Sequence, residues 1–464
     1  MTVPQLRDYQ LLCVSEIRRV FASWKRRVLF VLPTGGGKTI VFVFIVTNAI
    51  ARENRTLIIV HRQELIDQVA AALDAASILY GIIAAGYPER PLARVQIASI
   101  QTLAQRLDRY ADAFDFIVVD EAHHAVAQSW QRVLAAMPNA KVLGVTATPQ
   151  RRDGRGLGSI FDAIVIGPGT RELIPPGYLS NFRFFVPANY PDLSRVRTRA
   201  GDFAVDDLAH VMGEERLTDD VIGDYERICG GAPTVVFCVD VRHSMGVAKR
   251  FQARGHKAAH VDGNTPRDER RRLIAALGNG ELQILTNCGL ISEGLDVPAI
   301  GAAILLRPTK SLALYLQQVG RALRPAPGKE RALILDYSGN VIRHGFPDEP
   351  RAWSLQGTAR GARLDRAASF TRCGSCGALN VAMAAQCSAC GATIQPISRA
   401  AAASAPIGEH QRRVLAGMSY ARALEWAGGS VPRLKLVAGA RNYKPGWVWA
   451  RVAELRTRRR ETAA

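Results

Sequence analysis

The stretch LPTGGGKT at residues 32–39 lies between the apolar runs Val28–Leu32 and Ile40–Val46. This order predicts a strand, a phosphate-binding loop and a helix. Because glycines lack a β-carbon, backbone N–H groups can converge there on phosphate oxygens, and the helix N-terminus adds its dipole. The residues that we expect to contact nucleotide phosphates are Thr34, Gly35, Gly36, Gly37, Lys38 and Thr39.

Two side chains of this loop have distinct expected roles. Lys38 can reach the β- and γ-phosphates, and Thr39 can ligate magnesium. One position departs from the usual pattern, because Leu32 stands where a glycine is common, five residues before the last glycine. A glycine run after a strand is also typical of a tight turn, so the loop alone leaves both interpretations open.

A pair of adjacent carboxylates supports phosphate chemistry. Phe116–Val119 is typical of a buried strand, and it leads directly into Asp120 and Glu121. Open α/β sheets place ligands at that end of their strands. Asp120 can hold magnesium, while Glu121 can polarise the water that attacks the γ-phosphate. Acidic residues are also common at helix N-termini, but the upstream phosphate loop favours the catalytic interpretation.

With DEAH at residues 120–123 after this loop, the chain resembles the superfamily 2 helicases and translocases. Within them it is most similar to the XPB-like and restriction-enzyme-like DNA motors. The resemblance runs from about Leu6 to about Asn340. It implies two RecA-like lobes with parallel sheets, ATP and Mg²⁺ in the cleft between them, and nucleic acid lying across both.

Further motifs of the first lobe follow the family order. Residues 6–10 resemble the adenine-reading motif, in which the Gln10 amide can satisfy a donor and an acceptor on adenine, with Arg7 beside it. Residues 59–65 and 99–103 resemble strand-gripping motifs, and TATP at 146–149 resembles the motif that couples hydrolysis to movement. The candidates for contacts with the nucleic-acid backbone are Arg62, Thr102 and Thr286.

Strand and helix patterns alternate again in the second half, without a second phosphate loop. They predict strands at 234–239 and 257–261 and helices at 244–254 and 266–277. SEGLDVP at 292–298 resembles the fifth motif of the family. The resemblance therefore implies that Gly294 and Asp296 lie near the nucleotide.

QQVGRALR at 317–324 resembles the sixth motif of the family and begins with Gln317. Arg321 and Arg324 are three residues apart, so on a helix both guanidinium groups share one face. They can then point at the transferring phosphate as arginine fingers. A solvated basic face is the alternative, and Gln317 and Gly320 argue against it.

Four of the eight cysteines form two CxxC pairs separated by ten residues. Two such knuckles can complete a tetrahedron around one zinc ion. Redox pairs or disulfides are the alternative, but a cytosolic motor keeps its thiols reduced. Catalytic zinc usually keeps an open position, so we expect a structural zinc. Its predicted ligands are Cys373, Cys376, Cys387 and Cys390.

These patterns predict an α/β chain with two tandem RecA-like domains. The expected division is a first motor domain at 1–170, a connector at 171–219, a second motor domain at 220–350, a zinc ribbon at 368–396, and a linker with a basic segment at 397–464.

The net charge is strongly positive, +19 at pH 7, which suits a polyanionic partner. Residues 395–464 carry +9 of it. There, Trp447 and Trp449 could either stack on bases or anchor a small core.

The longest apolar run, Ile40–Val46, is far shorter than the roughly 20 residues that a membrane span needs. We expect a cytoplasmic protein that does not contact a membrane.

Together these observations predict an ATP-dependent DNA helicase or translocase. Three alternatives stay open, because the sequence has no recognisable wedge hairpin, duplex-reading domain or nuclease motif. They are a nucleic-acid-dependent ATPase that clamps or remodels without separating strands, the motor subunit of a restriction or repair assembly with a nuclease partner, and an RNA helicase.

Overall fold

The computed structural model describes most of the chain up to residue 394 and a part of the rest. The described ranges are 5–150, 156–290, 300–357, 370–382, 384–394 and 419–427, with positions 434, 436–438, 441, 443, 446–448, 450 and 451. The chain divides into two compact units. One contains residues up to 380 together with 387–392, and the other contains 381–386 and 393–464.

The first lobe of the larger unit is built on a seven-stranded sheet in which all neighbouring strands are parallel, in the order β3-β4-β2-β5-β6-β1-β7. Its strands are β1 (Arg27–Val31), β2 (Thr56–Val60), β3 (Tyr80–Ile83), β4 (Val95–Ser99), β5 (Phe116–Asp120), β6 (Lys141–Thr146) and β7 (Ala163–Ile166). The central strands are apolar runs because helices cover both faces of a parallel sheet.

Five helices flank this sheet and connect its strands. They are α1 (Asp8–Ala22), α2 (Lys38–Ile50), α3 (Gln63–Ala75), α4 (Ile100–Gln105) and α5 (Gln128–Ala135). One core packs Phe30 and Val118 with α1, α2 and α3, and the other packs Leu29 and Val119 with α4 and α5. Alternation of side chains along each strand sends neighbouring residues into opposite cores. The carboxyl ends of all the strands therefore meet at one edge.

The second lobe is built on a six-stranded parallel sheet in the order β12-β13-β11-β14-β15-β8. Its strands are β8 (Asn181–Phe185), β11 (Thr234–Phe237), β12 (Ala258–Val261), β13 (Ile284–Asn287), β14 (Ala302–Leu305) and β15 (Arg331–Asp336). Strand β8 comes from the stretch predicted as a connector, yet it pairs with β15 along its whole length. The second sheet thus begins well before residue 220.

The helices of the second lobe include the two that we predicted next to its first strands, with ends shifted by a few residues. They are α6 (Thr170–Leu173), α7 (Val205–Met212), α8 (Glu215–Cys229), α9 (Val241–Ala253), α10 (Arg267–Gly278), α11 (Leu312–Ala322) and α12 (Asn340–His344). The α9 helix begins at an Asp240 cap, whose carboxylate accepts a hydrogen bond from the His243 backbone. Among the described residues, no helix is long and apolar enough to cross a membrane.

Two small antiparallel pairs complete the larger unit. A hairpin joins β9 (Thr198–Arg199) to β10 (Asp202–Phe203), and a second pair joins β16 (Phe370–Arg372) to β17 (Leu379–Val381). The second pair carries the first two cysteines of the predicted zinc site. Neither pair has a hydrophobic face large enough for independent stability, so each depends on the surface that it packs against.

The four-cysteine segment docks on the edge strand of the second lobe. Phe370 is 8% exposed and belongs to the hydrophobic core of that lobe, with its ring centroid 5.0 Å from that of Phe346. The Arg183 guanidinium on β8 donates to the carbonyls of Ser388 and Ala389 at 2.7 and 3.2 Å. The Val186 amide donates to the Gly377 carbonyl at 3.0 Å. This docking covers the free edge of the sheet.

The smaller unit contains the helix α13 (Tyr420–Ala427) and a compact apolar cluster that includes Ala423, Val437 and Val448. Trp447 is partly buried against this cluster, and its ring centroid lies 4.7 Å from that of Tyr443. This placement favours a packing role for Trp447. Trp449 and the arginines at 456–460 lie outside the described residues.

Truncating Phe370 tests whether the four-cysteine segment belongs to the second lobe. Phe370→Ala removes a large buried ring, which typically costs about 3–5 kcal/mol. We expect the melting temperature to fall by roughly 6 °C or more in a calorimetric scan. Met245→Ala, which changes a side chain that is 45% exposed on α9, is the control and should shift melting by much less. Equal melting of both variants would contradict the docking.

Candidate functional site

The phosphate loop lies at the carboxyl edge of the first sheet. After β1 the chain turns through Gly35 and Gly37, both with positive φ, at 85° and 82°, and α2 then begins at Lys38. These angles suit glycine and are unfavourable for other residues. The Lys38 ammonium donates to the Leu32 carbonyl at 3.3 Å, which folds its side chain back across the loop.

Residues before α1 and at its start hold the loop from one side. The Tyr9 hydroxyl and the Gln10 amide both donate to the Gly36 carbonyl, at 2.7 and 3.3 Å. The Gln10 side-chain oxygen accepts from the Arg7 backbone at 3.0 Å. Gln10, predicted to contact adenine, thus hydrogen-bonds the loop in this conformation. Arg7 stacks instead on the Tyr178 ring, 4.4 Å from its centroid, at the mouth of the cavity described below.

The two adjacent carboxylates follow β5 at the same edge. Asp120 ends the strand, and its carboxylate accepts from the Glu121 backbone at 2.9 Å. Glu121 has a φ of 48°, which is rare for a residue with a side chain and turns the chain sharply here. The His123 ring lies 3.4 Å from the Glu121 carboxylate and 3.3 Å from the Thr146 hydroxyl. A polar chain therefore connects Glu121 to the start of the TATP motif.

Helix α11 of the second lobe packs against the phosphate loop. A β-carbon on Gly320 would lie 2.6 Å from the Thr34 β-carbon, and one on Gly35 would lie 2.8 Å from Leu179 and 3.6 Å from Arg324. The distances of 2.6 and 2.8 Å are too short for a β-carbon unless the neighbouring side chain moves, whereas 3.6 Å is ordinary contact, so glycine at both positions permits the close approach. The lobes are closed on each other around this contact.

A cavity of about 1420 Å³ lies between the lobes at this contact. From the first lobe it is lined by Lys38, Thr39, Asp120 and Glu121, and from the second by Arg321 and Arg324. Helix α11 ends at Ala322, so Arg324 lies beyond the helix rather than on it as predicted. Gln317 is buried within α11 and is not among the lining residues.

Burial shifts the pKa values of charged groups that line the cavity. Burial and the neighbouring Glu121 carboxylate raise the pKa of Asp120 to about 6, against the opposing charge of Lys38. Burial also lowers the pKa of Lys38, and the charges of Arg321 and Arg324 lower it further. These groups act on one another at short range, so the cavity is suited to a polyanion that carries a cation. The Thr39 hydroxyl and the Asp120 carboxylate offer the oxygen ligands that Mg²⁺ prefers.

Ion pairs between α3 and α10 form a second contact between the lobes, which the sequence did not reveal. Arg270 pairs with Glu64, Arg267 pairs with Asp67, and Arg271 lies 3.8 Å from Asp67. The only signal in the sequence is the basic first turns of α10, and a solvated face has the same pattern. Their partners become visible only in the tertiary structure.

The candidates for nucleic-acid contacts have different surroundings. The Arg62 guanidinium donates to the Gly289 carbonyl of the second lobe at 2.9 Å, and Thr102 is half-buried on α4. Thr286 is fully buried, and its hydroxyl donates to the Ser244 carbonyl at 2.9 Å. Thr286 therefore has no exposed group for a phosphate in this conformation, because α9 covers β13 there. Gly294 and Asp296 lie outside the described residues.

The predicted zinc ligands form one cluster. The sulfurs of Cys373 and Cys390 are 3.8 Å apart, those of Cys376 and Cys387 are 3.6 Å apart, and all four lie within 4.8 Å of one another. A tetrahedral zinc with Zn–S bonds of about 2.3 Å requires sulfur separations of about 3.8 Å. The distances are far too long for disulfides.

N–H groups favour the thiolate form of Cys387, whereas burial raises the pKa of its neighbour Cys376 to about 12. The Asn380 amide and the Ala389 backbone donate to the Cys387 sulfur at 3.7 and 3.4 Å. Although burial opposes it, N–H donors lower the pKa of Cys387 to about 6. Thiolate is the form that binds metal, so the donor set and its spacing fit a structural zinc ion.

Comparison with known proteins gives two family matches in chain order. The family described as type III restriction enzyme, res subunit, matches residues 4–151, and the helicase conserved C-terminal domain matches residues 222–326. The fold resembles a fragment of an HsdR subunit of a type I restriction enzyme from Vibrio vulnificus. The TM-score is 0.58 and the identity 22%, over 74% of this chain and 67% of that one.

Curated relatives include proteins from a phage, a yeast and an archaeon. A 51.5 kDa protein of a Lactococcus phage is 31% identical over 77% of this chain and 76% of its own length. "Putative ATP-dependent helicase IRC3" of Saccharomyces cerevisiae is 33% identical over 73% of this chain. "DNA 3'-5' translocase XPB2" of Sulfurisphaera tokodaii is 24% identical over 71% of this chain and 81% of its own length.

This chain spans about half of the yeast relative, 52% of its length. The two matched families nevertheless occur in the order of a helicase motor, and each covers one of the two lobes. The yeast relative is described as a putative helicase and the archaeal relative as a translocase. By its two motor lobes and its relatives, the chain belongs to the superfamily 2 helicases.

Proposed function

We propose that this chain is an ATP-dependent motor that moves along DNA and hydrolyses ATP between its two lobes. The observation that carries the proposal is the convergence of charged groups on one cavity. Lys38, Asp120 and Glu121 come from the first lobe, and Arg321 and Arg324 come from the second. Because the second lobe supplies part of the site, hydrolysis depends on how the lobes are placed, and this dependence can drive movement.

In this proposal the first lobe binds ATP and positions the attacking water. The Lys38 ammonium contacts the β- and γ-phosphates, and backbone N–H groups of residues 34–39 contact the remaining phosphate oxygens. Thr39 and Asp120 hold Mg²⁺, which when bound neutralises charge on the β- and γ-phosphates. Glu121 orients the water through its carboxylate, which lies 3.4 Å from the His123 ring.

The second lobe supplies positive charge when the cleft is closed. Arg321 and Arg324 lie next to the phosphate loop in the closed arrangement, where they can stabilise charge on the transferring phosphoryl group. Opening the lobes withdraws both guanidinium groups from that position. Repeated closure and opening would then advance the grip on the strand by one step for each ATP.

DNA is the nucleic acid that we propose as the track. A relative is described as a DNA translocase, and the chain carries a net charge of +19. Arg62 and Thr102 remain the proposed backbone contacts, because they lie at the carboxyl edge of the first sheet. Contact through Arg62 would require its present hydrogen bond to Gly289 to open.

We also propose that the four cysteines hold one structural zinc ion. The cluster lies on the edge strand of the second lobe and away from the cavity, so the metal supports the fold rather than the reaction. The separation of the four sulfurs supports this proposal.

The activity is tested by ATPase and strand-displacement assays with single-stranded DNA, duplex DNA and RNA. The proposal expects ATPase stimulation by DNA above that by RNA. Stimulation without strand displacement would favour a translocase or a clamp over a helicase, and a stronger response to RNA would overturn the DNA assignment. The match to a restriction-enzyme subunit makes assay with a separate nuclease partner a useful extension.

Two substitutions in the first lobe should separate binding from hydrolysis. Lys38→Ala should abolish hydrolysis, because the β- and γ-phosphates lose their positioned cation. Glu121→Gln should keep ATP binding and lower kcat by roughly 10²–10⁴-fold, because the water loses its base. Lys25→Ala, an exposed lysine before β1, is the matched control and should turn over normally. Near-normal rates in both site variants would remove the phosphate-loop assignment.

A third substitution tests the second lobe. Arg324→Ala should lower kcat by roughly 10³-fold or more, with a smaller change in ATP affinity, if Arg324 is the principal finger. Arg321→Ala measured in parallel decides between the two arginines. Arg254→Ala, which breaks a surface ion pair with Glu226, should have little effect. If neither site variant slows turnover, the second lobe does not complete the ATPase site.

Metal analysis tests the cysteine cluster. Protein purified without chelators should contain one equivalent of zinc, and Cys376→Ser should lower that content because one of four thiolates is lost. Ser375→Ala, an exposed neighbour in the same knuckle, should keep its zinc. Zinc-free wild-type protein would show that the cluster has another role.

A further inference from the structure

The hairpin of β9 and β10 has one exposed and one partly buried strand, and the ATPase mechanism does not use it. Thr198 pairs with Phe203 and Arg199 pairs with Asp202. The turn between them places Ala200 and Gly201 at positive φ, 50° and 83°, as in the tight turns that suit the twist of a hairpin. Since this conformation is unfavourable for alanine, contacts elsewhere must hold it.

Those contacts fix the hairpin to one loop of the second lobe. The Asp202 carboxylate accepts from the Thr309 hydroxyl at 2.7 Å and from the Lys310 backbone at 2.6 Å. The Phe203 ring lies between two cations, 4.6 Å from the Lys310 ammonium and 5.0 Å from the Arg343 guanidinium. The base of the hairpin is therefore tightly held while its turn is exposed.

The anchoring loop, residues 306–311, lies between β14 and α11. Its Thr309 is completely buried, and its backbone donates to the Asn340 side chain at 2.9 Å. Because β14, β11 and β13 are parallel neighbours, this loop shares the carboxyl edge of the sheet with Gly289, the partner of Arg62. The hairpin thus stands at the edge where the second lobe meets the proposed nucleic-acid contacts of the first.

The hairpin and the residues just before it also carry exposed positive charge. Arg199 lies on β9 and Arg195 three residues before that strand; both are exposed, and among the described residues neither guanidinium has a hydrogen bond or an ion pair. Arg195 does lie near the Asp192 carboxylate, whose charge it partly offsets. Arg197 between them differs, because its guanidinium is paired with Asp207 at 2.8 Å. Guanidinium groups that are exposed in this way are suited to bidentate contacts with phosphate.

We propose that the segment Arg195–Phe203 binds the phosphate backbone of the nucleic acid on which the motor acts. Arg195 and Arg199 provide the charge, and Asp202 positions them by fixing the hairpin. The loop that anchors the hairpin leads directly into α11, so a strand held here lies one loop away from the helix that carries Arg321. This inference rests on the proposed function and adds a contact site that the family motifs do not include.

The test compares the full-length double variant Arg195→Ala/Arg199→Ala with Lys25→Ala/Arg52→Ala. The control removes two exposed cations at the opposite edge of the first sheet, before β1 and after α2. ATPase is titrated with a single-stranded oligonucleotide and with a duplex at several salt concentrations. The hairpin variant should need roughly five- to tenfold more DNA for half-maximal stimulation, the effect of losing two exposed charge contacts.

The salt dependence of DNA binding tests the phosphate contacts more specifically than the half-saturating DNA concentration does. The slope of log K against log salt should become shallower by about 1.4 on single strands if both phosphate contacts are lost, because each contributes about 0.7. Charge reversal, Arg195→Glu/Arg199→Glu, should raise the half-saturating DNA concentration further. The control pair should leave both quantities unchanged.

The outcomes separate this inference from the proposed function. Wild-type protein whose ATPase responds to no nucleic acid would overturn the proposed function and the hairpin site with it. Wild-type protein that responds, with a hairpin variant equal to the control in half-saturation and slope, would overturn the hairpin site alone. A hairpin variant that binds DNA normally but loses binding to an acidic protein would reassign the arginines to that partner and overturn the proposal.

Discussion

The close approach of the Gly320 backbone on α11 to the Thr34 side chain in the phosphate loop is the contact on which the arrangement of the two lobes depends. A β-carbon on Gly320 would overlap the Thr34 side chain, so the smallest residue sets how near the second lobe can come. The arginines that follow it reach the cavity only because that distance is short. Close packing at this glycine therefore helps to bring the charges of the two lobes to the same cavity.

Electrostatics and packing act together where the two lobes meet. The cavity collects many charged groups, and burial changes the pKa of Lys38, Asp120 and Arg324 in the directions that favour their neutral forms. Burying these charged groups without a bound ligand of complementary charge costs free energy. The ion pairs between α3 and α10 lie on the rim of the same cavity. The Arg267–Asp67 pair is partly exposed to water, so its contribution to stability is small, whereas the Arg270–Glu64 pair is more buried.

Much of the first lobe was predictable because local patterns coincide with tertiary roles there. The apolar strand, the glycine loop and the start of α2 at Lys38 follow directly from the sequence, and so does the end of β5 at Asp120. Strand β8 was missed because five residues, NFRFF, give a weak pattern and their partner lies far along the chain. Thr286 was misplaced because a motif does not reveal which of its side chains the next helix covers.

Other features could not be predicted from the sequence pattern. The pairing of Arg270 with Glu64 joins residues about 200 positions apart, and a basic helix face alone does not name its partner. The four cysteines could be recognised as one candidate metal site from the sequence, because two CxxC pairs ten residues apart are a common spacing of zinc ligands. The surface on which the four-cysteine segment docks was not. Its contacts depend on Arg183 and Phe370, which no local pattern singles out.

The position of β8 has a consequence for the order in which the chain can fold. Residues 181–185 pair with 331–335, so roughly 150 residues separate the two partners. During synthesis β8 emerges long before β15, and the cysteine segment that covers its other edge emerges later still. Until then the strand presents unpaired backbone groups, and parallel pairings of such long range form slowly. The last part of the second lobe to be made therefore protects the first part from pairing with the wrong strand.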